Sequence, residues 1–270
     1  MRNRKPVQLL LAFFGEMVVG RTDDPVPASV LIDVLDGAGI AGPTTRASLD
    51  RMRERGLLGR VRRGREIGFH LTDRAKDVLN EAAERVERTD PFAPRGAGWT
   101  LVTFSVAERH RSLRHQLRAS LTWAGFAPLR DGLWVAPGAI DLASALGPLQ
   151  DDLPPGTVQA FRASEIEGYE MGDAVASAWQ IDEIRAEHEL FLREWEGAAD
   201  YGGRMPALTA RTALVADWLA LLRADPGLPA GHLGPHWPAD RSTRVFRERH
   251  AALHAASDAE FLARMGAIPA

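Results

Sequence analysis

Residues 57–72 read LLGRVRRGREIGFHLT, with Arg60, Arg62, Arg63 and Arg65 inside six positions and a short apolar run on either side. A guanidinium stays charged at any physiological pH and offers a planar fork of donors that matches phosphate oxygens. Just upstream, TTRASLDRMRERG adds Arg46, Arg51, Arg53 and Arg55, and only Asp50, Glu54 and Glu66 oppose these eight arginines between Ala41 and Leu71. The whole 270-residue chain carries a formal net charge of −3. A local basic surface on an acidic protein points to one anionic partner at one place.

The flanking sequence supplies elements to hold those arginines. SVLIDVLDGAG places Val30, Leu31, Val34 and Leu35 on one helical face and ends at Gly37 and Gly39. Pro43 then suits the first turn of a second helix, where its missing N–H costs nothing. In that helix Thr45, Leu49 and Met52 fall on the inner side, with Thr44, Arg46, Ser48, Arg51, Arg53 and Arg55 around the outside. Leu58 to Arg62 and Arg65 to Leu71 read as paired strands with Arg63-Gly64 at the tip, and Thr72 caps a following helix. The pattern is a winged helix-turn-helix: a recognition helix for a major groove and a β-wing for adjacent backbone or minor groove. The expected contacts to double-stranded DNA are Thr44, Thr45, Arg46, Ser48 and Arg51 on the helix, and Arg60, Arg62, Arg63 and Arg65 on the wing.

The rest divides at changes of pattern. Residues 1–90 form the winged helix domain, and the Pro/Gly stretch 91–98 is a linker. Residues 99–172 give the order strand–helix–strand–strand–helix–strand, with the second and third strands meeting at Asp131-Gly132, the order of a ferredoxin-like sandwich. Residues 173–270 show no strand and predict a helical C-terminal domain, with helices near Trp179–Trp195, Leu208–Leu222 and Thr243–Met265, the last interrupted near Ser257. The fold class is therefore α+β and multidomain. The chain has no cysteine, which excludes disulfides and thiolate metal sites. The apolar run after the basic start is interrupted by Glu16 and is too short for a bilayer, so it predicts an amphipathic first helix, and the chain is expected to be cytoplasmic with no membrane partner. An excess of Arg over Lys, with abundant Ala, Gly and Pro, fits a GC-rich bacterial genome.

On the words TTRASLDRMRERGLLGRVRRGREIGFHLT, WTLVTFSVAERHRSLRHQLRASLTWAGFAPLRDGLWVAP, AWQIDEIRAEHELFLREW, DPGLP and HWPADRSTRVFRERHAAL, the chain resembles the PaaX family of bacterial transcriptional repressors nearly end to end. That resemblance implies a homodimer with a winged helix, a ferredoxin-like middle domain and a helical C-terminal domain. It also implies an inverted-repeat operator and release by an aryl-acyl-CoA, typically phenylacetyl-CoA. The middle domain also looks like the small ferredoxin-like nuclease of CRISPR adaptation, whose relatives carry an aspartate after the first strand. Here FSVAE has Ser105 at that position, and a hydroxyl is a poor lone ligand for Mg²⁺.

No G-x-S-x-G, phosphate-binding loop or dinucleotide fingerprint is present, so no catalytic residue, metal site or cofactor is expected. His110 and His115 lack a nearby carboxylate at metal spacing. In GHLGPHWPADRSTRVFRERH, His232, His236, Trp237, Arg241 and Arg244 combine aromatic faces with cations, as an aryl-acyl-CoA effector would need. A plainer reading has Trp237 fastening a Pro-rich loop and both arginines in solvent. Two rival functions remain: a winged-helix scaffold that meets an acidic protein partner, and a metal-dependent nuclease in the middle domain.

Overall fold

Leu9, Leu10, Phe13, Phe14 and Met17 are all fully buried, which gives the segment Pro6–Met17 (α1) a wide apolar face. The computed structural model describes residues 4–64, 66–130, 132–197 and 205–266. No helix among them is long and apolar enough to cross a membrane. The chain divides into two compact units, Met1–Thr89 with Leu190–Ala220 and Asp240–Ala270, and Asp90–Glu189 with Leu221–Ala239. Residues 173–270 are thus shared between both units.

In the first unit α1 is followed by β1 (Val26–Pro27), α2 (Ala28–Gly37), α3 (Gly42–Glu54), β2 (Leu58–Arg63), β3 (Glu66–Leu71) and α4 (Asp73–Glu87). The three strands form one antiparallel sheet in the order β1-β3-β2. The two-residue β1 has too little sequence to show a period, and only its pairing with Phe69 and Gly68 reveals it. The unit also takes in the C-terminal end of α8 (Ile181–Trp195), most of α9 (Ala207–Ala224) and nearly all of α10 (Ala239–Gly266). Helix α10 continues through Ser257, where the sequence suggested an interruption. The Ser257 hydroxyl is fully buried and donates to His254 O at 2.9 Å, so the residue is accommodated inside the helix.

Charged side chains lock this unit. The Arg4 guanidinium donates to Asp217 at 2.7 Å, and the Trp195 indole N–H donates to the same carboxylate at 2.9 Å. Arg211 spans Glu16 at 2.8 Å and Asp258 at 2.8 Å, while His250 Nε2 lies 2.9 Å from Glu16. Burial pushes the Glu16 carboxyl up, but the bonds and charges of His250 and Arg211 outweigh it and hold Glu16 below its ordinary range. Trp218 stacks on Phe246 at 4.3 Å between ring centres.

The second unit holds β4 (Trp99–Phe104), α5 (Arg111–Trp123), β5 (Ala127–Arg130), β6 (Leu133–Pro137), α6 (Leu142–Leu146) and β7 (Val158–Ala163) in an antiparallel sheet ordered β5-β6-β4-β7. Alternation decides the faces. Val102, Trp134 and Ala136 pack with Leu113, Leu117, Leu121 and Leu146 of α5 and α6. Trp99 and Val135 point the other way, onto Val175 of α7 (Gly172–Trp179), Ile184 and Leu228. The strand–helix–strand–strand–helix–strand order fits the ferredoxin-like expectation. Arg130 pairs with Leu133; of the expected Asp131-Gly132 turn, Asp131 lies outside the described residues.

Candidate nucleic-acid interface

Helix α3 begins after the turn at Ala41, with Pro43 in its first turn, and buries Thr45, Ser48, Leu49 and Met52. Its outer face carries Thr44, Arg46, Arg51, Arg53 and Arg55, all exposed. Arg51 and Arg53 occupy the last turn, where the negative end of the helix dipole favours cations. Thr45 and Ser48 correct the expected contact list. Both are fully buried, so neither is on the surface that a DNA groove would meet. A small hydroxyl side chain fits the inner stripe as readily as the outer one, and the neighbours decide. Ser48 donates to Thr44 O at 2.8 Å and accepts from the Arg51 guanidinium at 3.0 Å. It therefore positions Arg51, a role its spacing four residues from Thr44 hints at only once its face is known.

The hairpin follows directly. Leu58 pairs with Leu71, Arg60 with Phe69, Arg62 with Ile67 and Arg63 with Glu66, so Arg63 belongs to the strand and not to the Arg63-Gly64 tip that the sequence suggests. Gly64 adopts φ +62°, a conformation in which a side chain is strained. Residues opposite one another share a face, so apolar Leu58 near the base gives way to exposed Arg60 and Arg62 toward the tip. Arg62 Nε donates to Gly64 O at 3.1 Å. Arg65 and the side chain of Arg63 lie outside the described residues.

Two features hold the hairpin against its surroundings. The Thr72 hydroxyl donates to Gly56 O at 2.7 Å and accepts from Ala75 N at 3.3 Å, so one side chain ties the end of α3 to the start of α4. At Gly68 an added Cβ would lie 2.9 Å from Pro25 Cβ, so the close approach of the residue leading into β1 favours glycine there. Among the described residues no carboxylate pairs with Arg46, Arg55 or Arg60, and Arg53 has only 4.0 Å contacts to Asp50 and Glu54. The surface can therefore take up an anion without first breaking a tight ion pair.

In the middle segment Ser105 is exposed just beyond β4, its N–H donating to Thr157 O at 3.1 Å. Among the described residues no group of three or more His, Asp or Glu is arranged to hold a metal ion. His110 and His115 are exposed.

The five candidate effector residues are divided between the units: His232, His236 and Trp237 belong to the second, and Arg241 and Arg244 to the first, where Arg241 is bound bidentately to Glu196 and Arg244 reaches Glu248 only at 4.0 Å. His232 Nε2 lies 2.8 Å from Glu165, which also accepts from Trp99 Nε1 at 2.9 Å and Met171 N at 3.1 Å. Burial raises the Glu165 carboxyl, yet those three partners hold it below its ordinary range. Arg185 sits 4.9 Å over the Trp237 ring and donates to Pro235 O at 3.3 Å, so Trp237 fastens the Pro-rich loop. Sequence reasoning missed Glu165 and Arg185, because their partners lie about fifty or more residues away along the chain.

Three family descriptions match the chain in order: "PaaX-like protein" over residues 6–75, "PaaX protein central Cas2-like domain" over 93–174 and "PaaX-like protein C-terminal domain" over 179–264. The chain is 24% identical over 239 residues to the transcriptional repressor PaaX of Escherichia coli (strain K12), covering 85% of this chain and 74% of that protein. In fold it is similar to the uncharacterized protein Rv0674 from Mycobacterium tuberculosis, with a TM-score of 0.58, 24% identity, and 95% and 98% of the two chains covered.

Proposed function

The chain belongs to the PaaX family, and from that premise we propose that it is a DNA-binding transcriptional repressor. The observation that carries this reading is the exposed set of Arg46, Arg51 and Arg53 on α3, Arg55 at its C-cap, and Arg60 and Arg62 on the next hairpin. Helix α3 is the recognition helix of a winged helix-turn-helix and enters a major groove, while the β2–β3 wing lies on neighbouring backbone or in the minor groove. The phosphate contacts of the arginines set affinity and register; Thr44 and Arg46, in the N-terminal part of α3, are the side chains offered to base edges.

The protein acts in a bacterial cytoplasm as a homodimer on an inverted repeat, with half-sites about 34–36 Å apart or a multiple of that spacing. Strand β7 is an edge of its sheet, with no further strand beside it among the described residues, and Phe161, Ile166 and Tyr169 on and beyond it are 57%, 72% and 83% exposed, which favours a second copy docking along this edge. A small aryl-acyl-CoA of the phenylacetyl-CoA type relieves repression by binding the DNA-free arrangement more tightly than the DNA-bound one. Of the residues first considered for that effector, His232 and Trp237 remain candidates beside Glu165.

The test is a gel shift of the full chain on its own upstream DNA, with and without phenylacetyl-CoA. A specific shift reversed by the thioester is expected. A specific shift indifferent to it removes this effector class, and no specific shift across genomic fragments removes the repressor reading.

A further inference from the structure

Residues 109–130 contain five arginines and two histidines but no aspartate or glutamate. Most of this stretch is α5, whose Leu113, Leu117 and Leu121 are buried against the sheet and whose Arg111, His115 and Arg118 are exposed. Helical spacing puts Arg111, Arg114 and Arg118 on one flank, at i, i+3 and i+7, with His115 beside them. Arg114 is fixed by a 2.6 Å bond to Val106 O. Among the described residues no carboxylate pairs with Arg111 or Arg118. This contrasts with arginines elsewhere in the chain, such as Arg4, Arg211 and Arg264, each of which has a carboxylate within 3.0 Å.

The helix adds to the same field. Its first turn holds no acid, and His110 at the N-cap makes no side-chain capping bond. The dipole therefore puts partial positive charge where Arg109 and Arg111 already stand, an arrangement that an external anion relieves.

We propose that this flank of α5 is a second DNA-backbone site, separate from the α3 and β2–β3 surface; it rests on the reading that the protein works on duplex DNA. Arg111 and Arg118 are about 10 Å apart along the helix axis, and one DNA strand presents a phosphate about every 3.4 Å of axis, so the row spans about three successive phosphates. An open helix flank suits such an extended polyanion. A compact ligand such as a coenzyme A thioester needs a concave site that buries most of its surface. The site reads no sequence, since guanidinium–phosphate bonds are the same at every step; it adds phosphate contacts and steepens the salt dependence.

The experiment compares the full chain with Arg111→Ala/Arg118→Ala and, separately, Arg60→Ala/Arg62→Ala, by fluorescence anisotropy on a non-operator duplex at several salt concentrations. Alanine is the best helix former and both α5 positions are exposed, so thermal melting should be unchanged. Loss of two phosphate contacts should cut the magnitude of the salt slope by about 1.8 and weaken binding roughly 10- to 30-fold near 0.15 M salt. If the α5 variant binds like wild type while the hairpin variant weakens, the second site is wrong and the winged-helix reading stands. If the α5 variant weakens and the hairpin variant does not, the second site stands and the winged-helix reading fails. Wild type that binds no duplex, or an α5 flank that binds coenzyme A but leaves DNA affinity untouched, overturns the proposal.

Discussion

The arginines of α3 and its hairpin and those of the first unit's helical part have the same chemistry and opposite fates. Arg4 and Arg211 are 2% and 4% exposed, each held by carboxylates from distant sequence. Arg46, Arg55 and Arg60 are exposed and have no carboxylate partner among the described residues. A buried guanidinium without a counter-charge is strongly unfavourable, so the first group exists only together with Asp217, Glu16 and Asp258. An exposed guanidinium is solvated at little cost and keeps its donors for a partner that arrives later. The first group therefore serves stability, and the second is the group proposed to bind.

The comparison breaks if stability and DNA affinity move together in any of these variants. Asp217→Ala leaves Arg4 and the Trp195 indole N–H without their shared acceptor and should lower unfolding free energy by about 3–5 kcal/mol in denaturant titration. Where it stays folded, its salt slope on DNA should match wild type. Arg60→Ala/Arg62→Ala should do the reverse, leaving the melting curve in place while the salt slope shrinks by about 1.8.

Acid titration sharpens the first half. Glu16 has a folded pKa depressed below 4.5, so its contribution is fully present above the unfolded value and is lost as pH falls through the folded one. Unfolding free energy should therefore decline as the pH drops below about 5. Glu16→Gln should start lower at neutral pH and decline less. The smallest effect is expected at the joint between α3 and α4, where Thr72→Ala removes a cap and the bond to Gly56 O. It should cost about 1 kcal/mol and speed amide exchange in the hairpin.

Much of the candidate interface was legible before any coordinates. Pro43 at a helix start, Gly64 near a hairpin tip, Thr72 as a cap and the outward arginines are signals that lie within a few residues of what they specify. The misreadings are equally local in cause. Ser48 was placed outside because its polarity suggested solvent, but its hydroxyl finds Thr44 O and Arg51 inside the inner stripe. The break expected near Ser257 fails for the same reason, since the helix supplies the acceptor that a buried serine needs. His232 through Arg244 lie close along the chain, and His232, His236 and Trp237 belong to one unit while Arg241, which is taken by Glu196, belongs to the other.

The sequence by itself determined the order of the longer strands and helices, the neighbourhood of most turns and the concentration of positive charge, because periodicity, glycine, proline and net charge act over short chain distances. Only the tertiary structure decided which arginines are spent on carboxylates and which stay exposed with no such partner among the described residues, which hydroxyls are buried, and how residues 173–270 are shared. Those outcomes depend on pairs such as Arg4 with Asp217, separated by 213 positions, and no local pattern encodes a partner that far away.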